Sequence, residues 1–292
     1  MTGTAAHARN GDVALAYERV GPDGGEPLLL IMGLGMQMIF WPDDLIAGFV
    51  GAGFSPARFD NRDAGASTYL TGLPAPSLPA LMVTPRAGYR VADMADDAAA
   101  VLDALGWESA HVFGTSMGGM VAQALAIGHP HRVRSLTSVM STPSPRIGRP
   151  TLRAMLALAA PPPRTPDEAG ERAVATFRVI GSPGYPLDED WLRSYGCRAF
   201  VRAAASGADA GAARRQLAAI NASPGRVAGL RGVRVPTLVV HGEADPLVRP
   251  AGGRAVAGAV PGARLVTYPG MGHNMPRELW PSIVGEVAAL VR

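Results

Sequence analysis

Apolar runs and polar breaks follow one another along the first half of the chain in a strand–helix rhythm. Val13 to Val20 alternates apolar and polar positions, which predicts a half-buried strand near a sheet edge. Gly21 to Gly25 is a turn cluster. Leu28 to Met32 is continuously apolar, the pattern of a strand covered on both faces, and Gly33-Leu34-Gly35 ends it. Trp41 to Val50 predicts a helix with Pro42 in its first turn, and Phe54 to Phe59 the next strand, closing on Asp60 to Ser67. The proline-punctuated stretch from Leu70 to Tyr89 reads as loop. Val91 to Leu105 then sets Val91, Met94, Ala95, Ala98, Val101, Leu102 and Leu105 on one helical stripe, with Asp93, Asp96, Asp97 and Asp103 away from it. A strand at Ala110 to Phe113, a helix at Met117 to Ile127 and a strand at Val133 to Met140 follow.

The rhythm breaks between about residues 142 and 232. Prolines cluster from Pro143 to Pro166, and the remainder is rich in Ala and Arg with helical spacing, as at Ala213 to Ile220. It resumes with a strand at Val235 to Val240, a helix near Gly252 to Ala259, a strand at Arg264 to Tyr268 and a closing helix from Glu278 to Val291. Alternating strands and helices with continuously apolar strands predict an α/β fold, a mainly parallel sheet flanked by helices. The expected organisation is a core of residues 1–141 and 233–292 with an inserted, mostly helical cap at 142–232.

Composition narrows the function classes. The chain has 292 residues, 48% hydrophobic and 17% charged, enough apolar material for a sizeable core and against disorder. The net charge is +3 with a pI near 9.4; there is no lysine, so the positive side chains are arginines, scattered among acids without a basic stripe. Nucleic acid is therefore not an expected partner. Cys197 is the one cysteine, so no intrachain disulfide forms. No signal-peptide core precedes Asn10 and no apolar run approaches membrane-spanning length, so the default expectation is a cytoplasmic protein without membrane partners. No H-E-x-x-H or similar ligand cluster occurs, and neither metal nor cofactor is expected.

The chemistry centres on Gly114-Thr115-Ser116-Met117-Gly118, a G-x-S-x-G between a predicted strand and a predicted helix. That context is what a nucleophile elbow requires: the serine sits on a strained turn, and small residues two positions either side let strand and helix approach. A serine hydroxyl needs a general base, and the base needs an orienting acid. Of six histidines, His7 falls in the N-terminal tail, His111 begins the elbow strand, and His129 and His131 flank Pro130 at a helix end. His241 and His273 follow strand C-termini, where sites of open α/β sheets lie. His273, in the loop Pro269 to Asn274, is the preferred base, with His241 the alternative. For the acid, Glu243 and Asp245 are both available; Pro246 biases Asp245 towards an extended or turn conformation that points it inward. The oxyanion hole is expected from the backbone N–H groups of Met117 and of Leu34, between Gly33 and Gly35. Met36, Met38, Trp41, Met120, Trp191 and Met271, with Gly33 and Gly35, are the expected pocket residues. The methionines suit irregular apolar ligands.

These motifs together are similar to those of the α/β-hydrolase superfamily, over nearly the whole chain. Within it the sequence resembles the aclacinomycin methylesterase-like esterases: Met32-Gly33-Leu34-Gly35 in place of the common His-Gly, Trp41-Pro42 shortly after, the Asp60-Asn61-Arg62-Asp63 turn, Ser116-Met117-Gly118, Gly242-Glu243-Ala244-Asp245 and Gly270-Met271-Gly272-His273. The resemblance implies Ser116 as nucleophile, Asp245 as acid and His273 as base, and ester hydrolysis without fixing the substrate; the methionine-rich surroundings make a hydrophobic small-molecule ester or lactone the expected one. Asp60 and Arg62 are expected to tie loops together. Serine at the elbow disfavours haloalkane dehalogenase and epoxide hydrolase chemistry, which uses aspartate there. Acyl transfer, perhydrolysis or a non-hydrolytic tailoring reaction on the same fold, and a ligand-binding protein with a vestigial triad, are the rival expectations.

Overall fold

The computed structural model describes residues 6–77, 80 and 87–292. Pro79 and Pro85 of the expected loop, and Met1 to Ala5, lie outside the described residues.

Among the described residues eight strands form one sheet: β1 (Ala6–Asn10), β2 (Val13–Arg19), β3 (Glu26–Ile31), β4 (Phe54–Phe59), β5 (Ala110–Thr115), β6 (Val133–Val139), β7 (Thr237–Gly242) and β8 (Arg264–Tyr268). Their spatial order is β1-β2-β4-β3-β5-β6-β7-β8. The two N-terminal strands pair antiparallel, with β2 antiparallel to β4, and every later pairing is parallel. β1 is an addition to the expected elements. The five-residue Ala6–Asn10 segment is too short and too polar for its periodicity to show, and it is held by pairing with β2. His7 therefore stands on an edge strand rather than in a tail.

The apolar runs are explained by two-sided burial. Leu29 and Ile31 of β3 face one helical layer, formed with α2 (Val91–Ala104), α3 (Met117–Gly128) and α9 (Ala251–Ala259). Leu28 and Leu30 face the other layer, formed with α1 (Asp43–Gly51) and α10 (Trp280–Leu290). All four leucine and isoleucine side chains are at most 1% exposed, and each such burial stabilises by about 1.5–3 kcal/mol. Where only one face is covered, as on β2, the pattern alternates. The first helix begins later than its apolar pattern does: Met38–Phe40 forms a separate 3-10 turn, and Pro42, with φ −65°, is the N-cap of α1.

Between β6 and β7 the described chain forms α4 (Leu152–Leu158), α5 (Pro166–Ile180), α6 (Glu189–Ala205), α7 (Ala212–Ala222) and the short α8 (Val227–Leu230). Thr165 Oγ1 accepts from the Glu168 N–H at 3.2 Å, and Asp188 Oδ1 from the Trp191 N–H at 2.9 Å, so α5 and α6 each start on a side-chain cap. The two helices pack closely through glycines. A β-carbon on Gly196 would stand 2.5 Å from the Ala169 carbonyl oxygen. Ala154, Val174, Phe177, Ile180 and Leu192 make a small core of their own.

Candidate active site

The elbow is where β5 stops and α3 begins. Ser116 holds φ 54° and ψ −118°, a conformation an L-residue adopts only under constraint. Its backbone is fixed from both sides: the Ser116 N–H donates to the Val139 carbonyl at 2.9 Å, and Ser141 Oγ donates to the Ser116 carbonyl at 2.7 Å. The flanking glycines are dictated by space. A β-carbon on Gly114 would lie 2.2 Å from the Gly118 oxygen, and one on Gly118 2.1 Å from the Ile31 oxygen.

The two loops after β7 and β8 converge on this serine. His273 Nε2 is 2.9 Å from Ser116 Oγ, and His273 Nδ1 is 2.8 Å from Asp245 Oδ2. The other carboxylate oxygen, Oδ1, accepts the N–H groups of Leu247 at 2.8 Å and Val248 at 2.9 Å. Asp245 is thus fixed in a tight Asx turn. The loop bearing His273 is pinned by the last residue of α5 and the segment just after it. The His273 N–H donates to the Ile180 carbonyl at 2.7 Å, and the Gly272 N–H to Ser182 Oγ at 2.8 Å. Asp245 and His273 are both buried, and Ser116 is half-buried.

The remaining histidines and Glu243 stand elsewhere. His241 is fully buried beneath Asp245, its Nε2 donating to the Val248 carbonyl at 2.7 Å and lying 3.7 Å from Asp245 Oδ2. Burial lowers its pKa, and its Nδ1 has no partner among the described residues. It backs the acid rather than facing the serine. Glu243 instead accepts from Thr267 Oγ1 at the surface. His111 meets Ser135 at the start of β5, and His129 pairs with Asp96.

Gly33 lies against the serine. A β-carbon there would be 3.2 Å from Ser116 Cβ and 3.7 Å from Oγ. Leu34 follows, and its N–H has no backbone acceptor among the described residues. Met117 is the first residue of α3, so its N–H has no acceptor within the helix. Among the described residues no group of three or more His, Cys, Asp or Glu side chains is placed to hold a metal ion.

Residues 26–276 match the family described as the alpha/beta hydrolase fold. The chain belongs to that family. Among curated proteins, this hydrolase-family chain is 29% identical over 306 residues to the rhodomycin D methylesterase DnrP of Streptomyces peucetius, covering 97% of this chain and 96% of the relative. It is 28% identical to the corresponding enzyme DauP of Streptomyces sp. strain C5, covering 96% of each. Among solved structures, the enol-lactonase of Burkholderia xenovorans LB400 superposes with a TM-score of 0.74 at 24% identity, over 98% of this chain and 99% of that one, a likeness of fold.

Several residues expected at the pocket are placed in the hydrolase core. Met117 and Met120 pack in the α2–α3 layer, and Met271 in the α1–α10 layer. Trp41 packs edge-on against Phe113 with ring centroids 5.7 Å apart, and Met38 is fully buried. These five side chains are buried, so they are absorbed by packing. Met36 and Trp191 instead meet at the seam between sheet and inserted helices. There Phe40 stacks on Phe177 at 5.5 Å and meets Trp191 and Tyr195 edge-on at 5.0 and 4.7 Å.

The seam also carries buried charge that hydropathy did not reveal. Arg215 of α7 grips Asp63, with its Nη2 2.6 Å from Oδ1, and Asp63 also accepts from Tyr89 Oη at 2.8 Å. Arg202 of α6 pairs with Asp60 at 2.5 Å, and Asp60 Oδ1 accepts the Met38 N–H at 2.7 Å. Arg62 pairs with Asp97 of α2 at 2.6 Å. The turn after β4 ties loops together as expected of Asp60 and Arg62, and it also fastens the inserted helices to the sheet. The only hint in the sequence was an Arg-Arg-Gln run, residues 214–216, inside an otherwise Ala-rich helix.

Proposed function

We propose that this chain is a serine-dependent carboxylic ester hydrolase, with Ser116 as nucleophile, His273 as general base and Asp245 as the orienting acid. The observation that carries the reading is the unbroken hydrogen-bonded line Asp245–His273–Ser116. Asp245 holds the imidazole so that Nδ1 carries a proton and Nε2 is free to take one. Nε2 removes the Ser116 proton as Oγ attacks the ester carbonyl. The N–H groups of Leu34 and Met117 receive the oxyanion, a contribution worth about 3 kcal/mol per donor in such sites. The imidazolium then protonates the departing alcohol, and water repeats the path to release the acid. In this reading residues 142–232 form a cap over the C-terminal edge of the sheet.

The substrate class follows from the seam and from the relatives. Phe40, Phe177, Trp191 and Tyr195 form a mutually packed aromatic cluster shortly after the loop that carries Leu34. The relatives in Streptomyces are methylesterases of rhodomycin D. Together these support a methyl ester or lactone on a hydrophobic, aromatic scaffold.

The test is a panel of methyl and p-nitrophenyl esters of graded acyl size, run with wild type and Ser116→Ala, alongside labelling by a fluorophosphonate probe. Hydrolysis and labelling that both vanish in Ser116→Ala are expected, with kcat/KM rising for bulky aromatic acyl groups. Turnover of acetate esters alone would refute the substrate class. Unchanged turnover in Ser116→Ala would refute the nucleophile.

A further inference from the structure

We infer that Gln216, on inserted helix α7, is a positioning residue for the oxyanion loop, an inference that rests on the serine-hydrolase reading. Gln216 is fully buried. Its Oε1 accepts the Gly35 N–H at 2.7 Å, and its Nε2 donates to the Arg62 carbonyl at 2.7 Å. One side-chain amide therefore joins the loop beside Ser116 to the turn after β4. The neighbouring Arg215, through its ion pair with Asp63, fixes the helix that carries it.

The geometry of the loop explains why this contact matters. The Met36 N–H donates to the Gly33 carbonyl at 3.2 Å, so residues 33–36 close a β-turn. Gly35 occupies its third position with φ +67°, the left-handed value a type II turn requires there. Type I and type II turns differ by a flip of the central peptide, here Leu34–Gly35. Its N–H belongs to Gly35, and that is the group Gln216 holds. A flip would point the Leu34 carbonyl at Gln216 Oε1, acceptor against acceptor, and leave the amide oxygen of a fully buried side chain without its hydrogen bond. Gln216 thus selects one of the two turn states; the Leu34 N–H itself lies on the preceding Gly33–Leu34 peptide and is held indirectly, through the turn that Gln216 fixes. Gln216 touches no reacting atom and acts through Gly35. The inserted helices then do more than cover the site: α7 completes the sheet-side machinery, and a motion that lifted α7 would dismantle the oxyanion loop.

The experiment compares wild type, Gln216→Met, Gln216→Glu and Ser116→Ala in ester hydrolysis and in inhibition by a trifluoromethyl ketone, which forms an oxyanion on the serine. Gln216→Met is expected to lower kcat by about tenfold to a hundredfold, part of the effect of deleting an oxyanion donor. The inhibitor should weaken in parallel while KM changes less than about twofold, a split that loss of packing alone would not produce. Gln216→Glu serves as the conservative variant and as the fallback if the methionine variant does not fold. Its neutral acid form keeps both contacts, so its kcat relative to wild type should rise as pH is lowered from 8 to 6. Gln216→Met matching wild type in kcat and inhibition, or a Gln216→Glu ratio fixed at one throughout, overturns the inference while leaving an inactive Ser116→Ala to uphold the nucleophile. An active Ser116→Ala overturns both.

Discussion

Ser116 and His273 are 157 positions apart in the chain and 2.9 Å apart in space, Oγ to Nε2. What sets that distance is the anchoring of each partner to a different strand: the serine to β5 through the elbow, the histidine to β8 through a loop clamped by Ile180 and Ser182. Asp245 supplies the orientation. In Asp245→Asn the Oδ1 contacts to Leu247 and Val248 can persist, but the amide nitrogen would donate to His273 Nδ1 and place the ring proton on Nε2. That tautomer cannot accept the serine proton. We expect kcat to fall by about 10⁴ with the melting temperature nearly unchanged, measured by ester hydrolysis and calorimetry on the same preparations.

Gly114 leaves no room for any side chain. A β-carbon there would meet the Gly118 oxygen at 2.2 Å, a clash with backbone that no rotamer change relieves. Gly114→Ala is expected to destabilise the fold by at least about 1–3 kcal/mol and to remove activity by displacing Ser116. Urea denaturation measures the first effect and fluorophosphonate labelling the second. A fully stable and reactive Gly114→Ala would mean that the strand and helix can part without cost.

Arg215 and Asp63 are both buried, with side chains 1% and 0% exposed. Two charges removed from water contribute little net stability as a pair, but breaking one partner leaves the other uncompensated. Arg215→Met should therefore cost about 3–5 kcal/mol, read as a lowered denaturation midpoint. Replacing Asp63 with Asn in the same background should recover part of that loss, because the stranded carboxylate is then gone.

His241 predicts how stability depends on pH. Burial depresses its pKa below the unperturbed 6.5, so the folded chain binds this proton less readily than the unfolded chain does. Its contribution is fully present above that value and is lost as pH falls below it. His111, also lowered by burial, acts with the same sign. Denaturation midpoints of wild type are expected to drop between pH 7 and pH 5, and the drop should be shallower in His241→Asn. An equal slope in the two proteins would show that this histidine does not contribute to the acid sensitivity.

The strands of the sheet interior and the elbow were legible in the sequence because both rest on local rules. Leu28 to Ile31 must be apolar at every position when helices cover both faces, and Gly114 and Gly118 must be small wherever a strand turns sharply into a helix. The edge of the sheet that carries Ser116, Asp245 and His273 was readable, since strand C-termini share one edge of a parallel sheet, but strand position left Glu243 and His241 as alternatives and the resemblance chose between them. β1 was not legible, because a short polar segment becomes a strand only when β2 is there to pair with it. The fate of Met117, Met120, Met271 and Trp41 was also hidden: an apolar side chain near a site reads the same whether it lines a pocket or fills a core. The polar seam came from tertiary contacts alone. Gln216 on Gly35, Arg215 on Asp63 and Arg202 on Asp60 join residues far apart in sequence, and no periodicity marks such pairs. Hydropathy records which side chains leave water, whereas a buried charge or amide is placed by the partner it finds.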